Sequence, residues 1–122
     1  MSRERVVIIG ASDKPERYSH KALLMLRRHG HEVVPVHPRL TEIEGIHVVP
    51  SVSAVTGAVD TVTMYVGAAA SAGMAESLIA LHPRRVIFNP GAENAVLADA
   101  LREAGIACEE ACTLVLLSTG SF

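Results

Sequence analysis

Tryptophan is absent from this 122-residue chain, and tyrosine and phenylalanine occur only twice each. That leaves little material for the aromatic platforms on which single-stranded nucleic acids stack. Eleven Lys and Arg face 13 Asp and Glu, for a net charge of −2. A general nucleic-acid binder carries a strong basic excess, so nucleic acid is not an expected partner. Only two cysteines occur, Cys108 and Cys112. They make no disulfide framework in the cytosol, and their bland reading is two small, partly buried thiols. No apolar run reaches the ~18 residues of a membrane-spanning helix. Met1-Ser2-Arg3-Glu4-Arg5 enters an apolar run directly, without a secretory pattern. A cytoplasmic protein with no membrane contact is therefore expected. The six histidines show neither H-x-x-x-H nor H-E-x-x-H spacing, so no metal site is expected.

What is present is a globular composition, 49% hydrophobic and 20% charged. One domain over residues 1–122, with a real core, is expected. The chain is organised around Val6-Val7-Ile8-Ile9-Gly10-Ala11-Ser12-Asp13. Four β-branched residues in a row predict a strand buried on both faces, as in a parallel sheet. The run stops at small residues and a helical pattern follows. Strand, small-residue turn and helix make a site for phosphate from backbone N–H groups and the helix N-terminus.

The same alternation continues. Strands are predicted over 5–10, 32–36, 46–50, 60–66, 85–89 and 106–108. Helices are predicted over 19–29, 70–81, 95–104 and 111–118, with a helical turn in 51–56 and a polar loop over 39–45. Ala22, Leu23 and Leu26 form the apolar stripe of the first helix, and Gly30 stops it. The expected fold is α/β: a Rossmann-like, doubly wound parallel sheet in a single three-layer domain. The expected strand order is 3-2-1-4-5, with a possible sixth strand. Ligands of such sheets sit beyond the carboxyl ends of the strands, at the switch point. Here that places the loops after the first and fourth strands across from each other. The loop Asn89-Pro90-Gly91 joins the rim.

Gly10 begins a G-x-G-x-x-G pattern, but Ser12 and Pro15 stand at the second and third glycine positions. The NAD fingerprint is thus broken, although Ser12 keeps an N–H and a hydroxyl for a phosphate oxygen. NAD binders carry Asp or Glu at the end of the second strand, for the ribose hydroxyls. This chain has His37-Pro38-Arg39 there. Arg39 suits a ribose phosphate, and Lys14, Arg17 and Lys21 add positive charge. Coenzyme A or NADP is the nucleotide class these residues favour.

The stretches Val7-Ile8-Ile9-Gly10-Ala11-Ser12, Pro15-Glu16-Arg17-Tyr18-Ser19 and Val34-Pro35-Val36-His37-Pro38-Arg39 resemble the small CoA-binding proteins. So do Asn89-Pro90-Gly91-Ala92-Glu93-Asn94 and Glu110-Ala111-Cys112-Thr113-Leu114-Val115. The single domain of those proteins is similar to the CoA-binding domain of succinyl-CoA synthetase α subunits and ADP-forming acyl-CoA synthetases. The resemblance implies CoA at the switch point, with Gly10, Ala11 and Ser12 at the pyrophosphate. It implies Pro38 and Arg39 near the adenosine and its 3′-phosphate, and Val66 and Gly67 flanking the ligand. The family often has Asn where this chain has His37, the histidine best placed to contact a ligand. It implies binding rather than catalysis, because the synthetases' phosphorylated histidine lies outside this domain. Either CoA or an acyl-CoA fits, with an acyl-CoA enzyme as possible partner.

Other readings stay open at this stage. Asn89 and Asn94 either orient a substrate carbonyl or cap the strand-to-helix turn. Cys108 or Cys112 is either an inert thiol or one near the CoA sulfur. No Ser-His-Asp set or acid pair declares itself. The alternatives to a CoA binder are an NAD(P)-linked enzyme or redox sensor, and an interaction module with the apolar tail 113–117 as its homo-oligomer face.

Overall fold

The computed structural model describes residues 3–122. Its strands are β1 (Arg5–Ile9), β2 (Glu32–Val36), β3 (Glu42–Ile43), β4 (Ile46–His47), β5 (Thr61–Met64), β6 (Arg85–Phe88) and β7 (Ala107–Glu110). Its helices are α1 (Tyr18–Arg28), α2 (Ala68–Ser71), α3 (Ala75–Leu81), α4 (Ala95–Glu103) and α5 (Thr113–Ser118), with a 3₁₀ turn at Val52–Ala54. Five strands form one parallel sheet in the order β2-β1-β5-β6-β7. The expected α/β doubly wound sheet is present, and residues of the expected sixth strand form its β7 edge.

β1 shows why four apolar residues stand in a row. Val6, Val7 and Ile8 have no exposed surface and Ile9 has 1%. Alternation sends Val6 and Ile8 to one layer, with Leu23 and Leu26 of α1 and Leu117 of α5. Val7 and Ile9 face the other layer, with Leu78 of α3 and Leu97 and Leu101 of α4. Both faces are covered, so neither carries polar residues. Burying each of these leucines stabilises the fold by roughly 1.5–3 kcal/mol. α1 ends as expected: Gly30 has φ +88°, and the N–H groups of Gly30 and His31 reach the Arg27 and Leu26 carbonyls.

Two expectations need correction. The strand expected over 46–50 shrinks to one parallel bridge, Val49 beside Val36. Its first residues pair instead with Glu42–Ile43, in an antiparallel hairpin inside the expected polar loop. Glu44 (φ +52°) and Gly45 (φ +75°) supply the two left-handed residues of that tight turn. The helix expected over 70–81 divides into α2 and α3. Gly73 weakens the helix at the break, and Ser71 is held there by a 2.8 Å hydrogen bond from Asn94 Nδ2. The tail helix α5 buries Leu117 and Thr113 in the α1 layer and leaves Val115 exposed, with Leu114 beside it, at the surface next to Leu24 and Met25.

At the amino ends of the strands, His31 Nδ1 accepts the Glu4 N–H at 3.0 Å. Its ring packs 5.2 Å from that of Phe122, which the Arg85 guanidinium covers at 4.5 Å. Burial of His31 pushes its pKa below the ordinary 6.5. Below that value the unfolded chain binds a proton that the folded chain resists. The stabilisation from His31 is therefore full above about pH 6.5 and falls as the pH drops toward the lowered folded value. Thermal unfolding followed from pH 7.5 to 5 should show Tm dropping below about 6.5, and His31→Gln should flatten that drop. Leu23→Ala, in the α1 layer, should cost about 2–5 kcal/mol in denaturant titrations, with the fold retained.

Candidate functional site

The sheet switches direction between β1 and β5, and a cleft of ≈ 760 Å³ opens at their carboxyl ends. It is lined by the loop after β1, by the residues after β2 and β5, by the 3₁₀ turn and by α3. Nine of the expected ligand residues meet there: Gly10, Ala11, Ser12, Lys14, Arg17, His37, Pro38, Val66 and Pro90. Another cavity, ≈ 490 Å³, lies toward the amino end of β2. Its cation is already engaged: Arg5 donates to Glu32 and to the Thr56 and Ala58 carbonyls.

Gly10 lets the two sides of the switch approach. Its φ is +87°, and a Cβ there would stand 2.8 Å from Val66 Cγ1 and 3.1 Å from the Tyr65 carbonyl carbon. The turn is tied on both flanks. Ala11 N–H donates to the Val36 carbonyl at 3.2 Å, and Tyr65 N–H to the Ile9 carbonyl at 2.8 Å. Beyond it, Ser12 Oγ accepts the Lys14 N–H at 3.1 Å. The Ser12 carbonyl accepts from His20 Nδ1 at 2.8 Å.

Among the described residues, the N–H groups of Ser12 and Asp13 meet no protein acceptor, nor do those of Tyr18 and Ser19. The last two begin α1, which has no capping side chain and no acid in its first turn. All four residues line the cleft. Lys14 and Arg17 are exposed beside them and form no ion pair among the described residues. Unpartnered N–H groups, a helix N-terminus and two free cations suit an anion.

Five expected residues lie outside the lining. Lys21 turns over the Tyr18 ring, 5.3 Å from its centroid. Arg39 is exposed, and its N–H donates to His37 Nδ1 at 3.0 Å. The Leu40 N–H donates to the same nitrogen, so His37 presents Nδ1 as an acceptor. Gly67 is the exposed residue before α2, and the Gly91 N–H is taken by Glu93 Oε1 at 2.9 Å. Asn89 is 2% exposed and acts as a strut. Its amide donates to Thr63 Oγ1 at 2.7 Å and the Met64 carbonyl at 2.8 Å, and accepts the Thr113 N–H at 2.9 Å. Asn94 caps α4, its Oδ1 accepting the Leu97 N–H at 3.1 Å.

Sequence reasoning missed several lining residues: Tyr18, Ser19, Ser51, Tyr65, Met74 and Ser77. Tyr18 and Ser19 were legible as the first helical turn after a phosphate loop. The others arrive through tertiary packing. The Tyr65 hydroxyl is buried beside the hydroxyls of Thr63 and Thr113, without a well-formed bond to either. Burial pushes its pKa up to about 12, so it stays a neutral phenol near neutral pH. Cys108 and Cys112 are free and half-buried, and burial pushes the Cys108 thiol up. Neither cysteine lines the cleft.

The fold has relatives. A crystal structure of an uncharacterized protein superposes with a TM-score of 0.93 at 38% identity, covering 100% of both chains. The uncharacterized protein YneT of Bacillus subtilis (strain 168) is 30% identical over 76 residues, 62% of this chain and 56% of that protein. The dinucleotide-forming acetyl-coenzyme A synthetase 1 of Ca. Korarchaeum cryptofilum, solved with phosphate and ADP, shares the fold at a TM-score of 0.74 and 21% identity. That match covers 86% of this chain and 25% of the synthetase. The family described as the CoA binding domain matches residues 4–118, and the chain belongs to that family.

Proposed function

We propose that this protein binds coenzyme A, free or as a thioester, in the cleft at the switch point, without catalysis of its own. The observation that carries this reading is the set of unpartnered N–H groups at Ser12, Asp13, Tyr18 and Ser19, flanked by Lys14 and Arg17. A pyrophosphate matches it in charge and in its demand for donors. Gly10, Ala11 and Ser12 bring the backbone close to the pyrophosphate. His37 and Pro38 border the adenosine, and Arg39, exposed just beyond, swings to the 3′-phosphate. Val66, Gly67, Pro90 and Gly91 flank the pantetheine, while Asn89 holds the floor beneath it. Lys21 adds only long-range positive potential. No helix is long and apolar enough to cross a membrane, and the two free thiols suit the reducing cytoplasm. A carrier or sensor working with an acyl-CoA enzyme fits such a site.

The competing ligand class is NAD(P), and the absence of an acid after β2 weighs against NAD. In thermal-shift measurements, CoA at about 100 times its Kd should add about 2.7 kcal/mol and raise Tm by several degrees. NAD and NADP should leave Tm unchanged; a shift with either and none with CoA transfers the site to the redox reading. Dephospho-CoA should bind about tenfold more weakly than CoA, a difference of about 1.4 kcal/mol. Arg39→Ala should erase that difference, and equal affinities in the wild type remove Arg39 from the site. Gly10→Ala forces a Cβ into Val66 at a left-handed φ. It should cost about 1–3 kcal/mol of stability in denaturant titrations and abolish the CoA shift.

A further inference from the structure

We propose that His20 is a positioning residue for the anion loop, and that only its doubly protonated ring clamps that loop to the β3–β4 hairpin. The proposal rests on the nucleotide reading above for its effect on affinity, and on the structure alone for the clamp.

His20 occupies the buried stripe of α1 with Ser19, Ala22, Leu23 and Leu26, and only 2% of its surface is exposed. A polar ring so placed needs partners. Nδ1 lies 2.8 Å from the Ser12 carbonyl oxygen and Nε2 lies 3.0 Å from Glu44 Oε2. A carbonyl only accepts, and so does an ionised carboxylate. Both contacts are therefore hydrogen bonds only when both ring nitrogens carry protons. A neutral ring keeps one bond, the stronger Nε2–H bond to the charged Glu44 carboxylate, and releases the Ser12 carbonyl.

Each end of the clamp is itself fixed. Glu44 has φ +52° in a two-residue turn, where Asn, Asp and Gly are favoured. Its carbonyl lies 3.4 Å from an Arg27 guanidinium nitrogen. The carboxylate bond to His20 gives a reason for glutamate at a strained position. At the other end, the Ser12–Asp13 peptide is trans. Its N–H therefore lies opposite the carbonyl that His20 holds. Holding the Ser12 oxygen thus fixes the direction of the Asp13 N–H, one of the unpartnered donors at the cleft.

The charged groups on the neighbouring elements are exposed. They are Asp13, Lys14, Glu16 and Arg17 on the loop, Lys21, Arg27 and Arg28 on α1, Glu42, Glu44 and His47 on the hairpin, and Glu32 on β2. α5, packed on α1, carries no charged residue. Glu44 is the group among them that contacts the ring.

The test uses dephospho-CoA, because the 3′-phosphate monoester of CoA itself titrates near pH 6. Calorimetric affinities would be measured from pH 5.5 to 8.0, across the range where imidazoles change charge. Wild-type affinity should weaken about tenfold as the pH rises, the loss of one charge-assisted hydrogen bond. Glu44→Gln should hold high affinity at every pH, because its amide can donate to a neutral Nε2 while Nδ1–H keeps the Ser12 carbonyl. His20→Gln should give a flat profile at the weaker level. In the unliganded protein, imidazole ¹⁵N shifts should report both nitrogens protonated at low pH, with the Asp13 amide moving as the second proton leaves. A wild-type profile that is flat, or one that Glu44→Gln leaves unchanged, overturns the proposal. So does a ring that is singly protonated throughout. No binding at any pH, with the ring and the Asp13 amide titrating together, overturns the nucleotide reading and leaves the clamp standing.

Discussion

The approach of Gly10 to the end of β5 is the constraint on which the rest depends. The loop after β1 must turn at once and pass against Tyr65 and Val66, with no room for a Cβ. That packing brings the first turn of α1 over the carboxyl ends of the strands, where the N–H groups of Tyr18 and Ser19 find no acceptor among the described residues. It also seats Ala11 on the Val36 carbonyl, so the residues after β2 become the opposite wall. Remove the close approach and α1, the loop and the wall no longer share one cleft.

A second layer of order lies beneath the cleft. Asn89 joins β6 to β5 through Thr63 and the Met64 carbonyl, and to α5 through the Thr113 N–H. The Thr63 and Thr113 hydroxyls close the network at 2.8 Å. All three side chains are buried, so these bonds face no competition from water. The network joins the two strands to α5, which shares the α1 layer through Leu117. The polar residues next to the cleft therefore fall into two groups. Asn89, Thr63 and Thr113 hold the scaffold, while Ser12, Lys14 and Arg17 face the opening.

Much of this was legible in the sequence, for a physical reason. β1 and β6 are buried on both faces, so their apolar runs carry an unambiguous signal. Gly30 ends α1 through local backbone geometry, which a sequence displays directly. The loop 10–14 was legible because its chemistry is backbone chemistry. The hairpin was not, because Glu44 sits at a left-handed position that sequence assigns to Asn or Gly. The break in the expected 70–81 helix was hidden because Ser71 is held by Asn94, more than 20 residues away. Asn89 reads the same whether it meets a ligand or a strut, and only the surroundings of its amide separate the two. Tyr65, Met74 and Ser77 reach the cleft through packing that no spacing encodes.

The β2 edge of the sheet has a consequence of its own. On that side the outward-facing positions are Val33, Pro35 and His37; Pro35 has no N–H, and Val49 already holds the Pro35 carbonyl and the His37 N–H. A foreign strand arriving there would find its template missing a donor and half occupied. The sheet is thus closed to templated growth along β2. Its other margin, β7, ends in Glu109, paired with Arg85 at 3.3 Å, and in the exposed Glu110, whose charge would repel its own copy on a second edge. The two borders of this apolar sheet thus resist extension by different means, one by lacking a donor and the other by carrying charge.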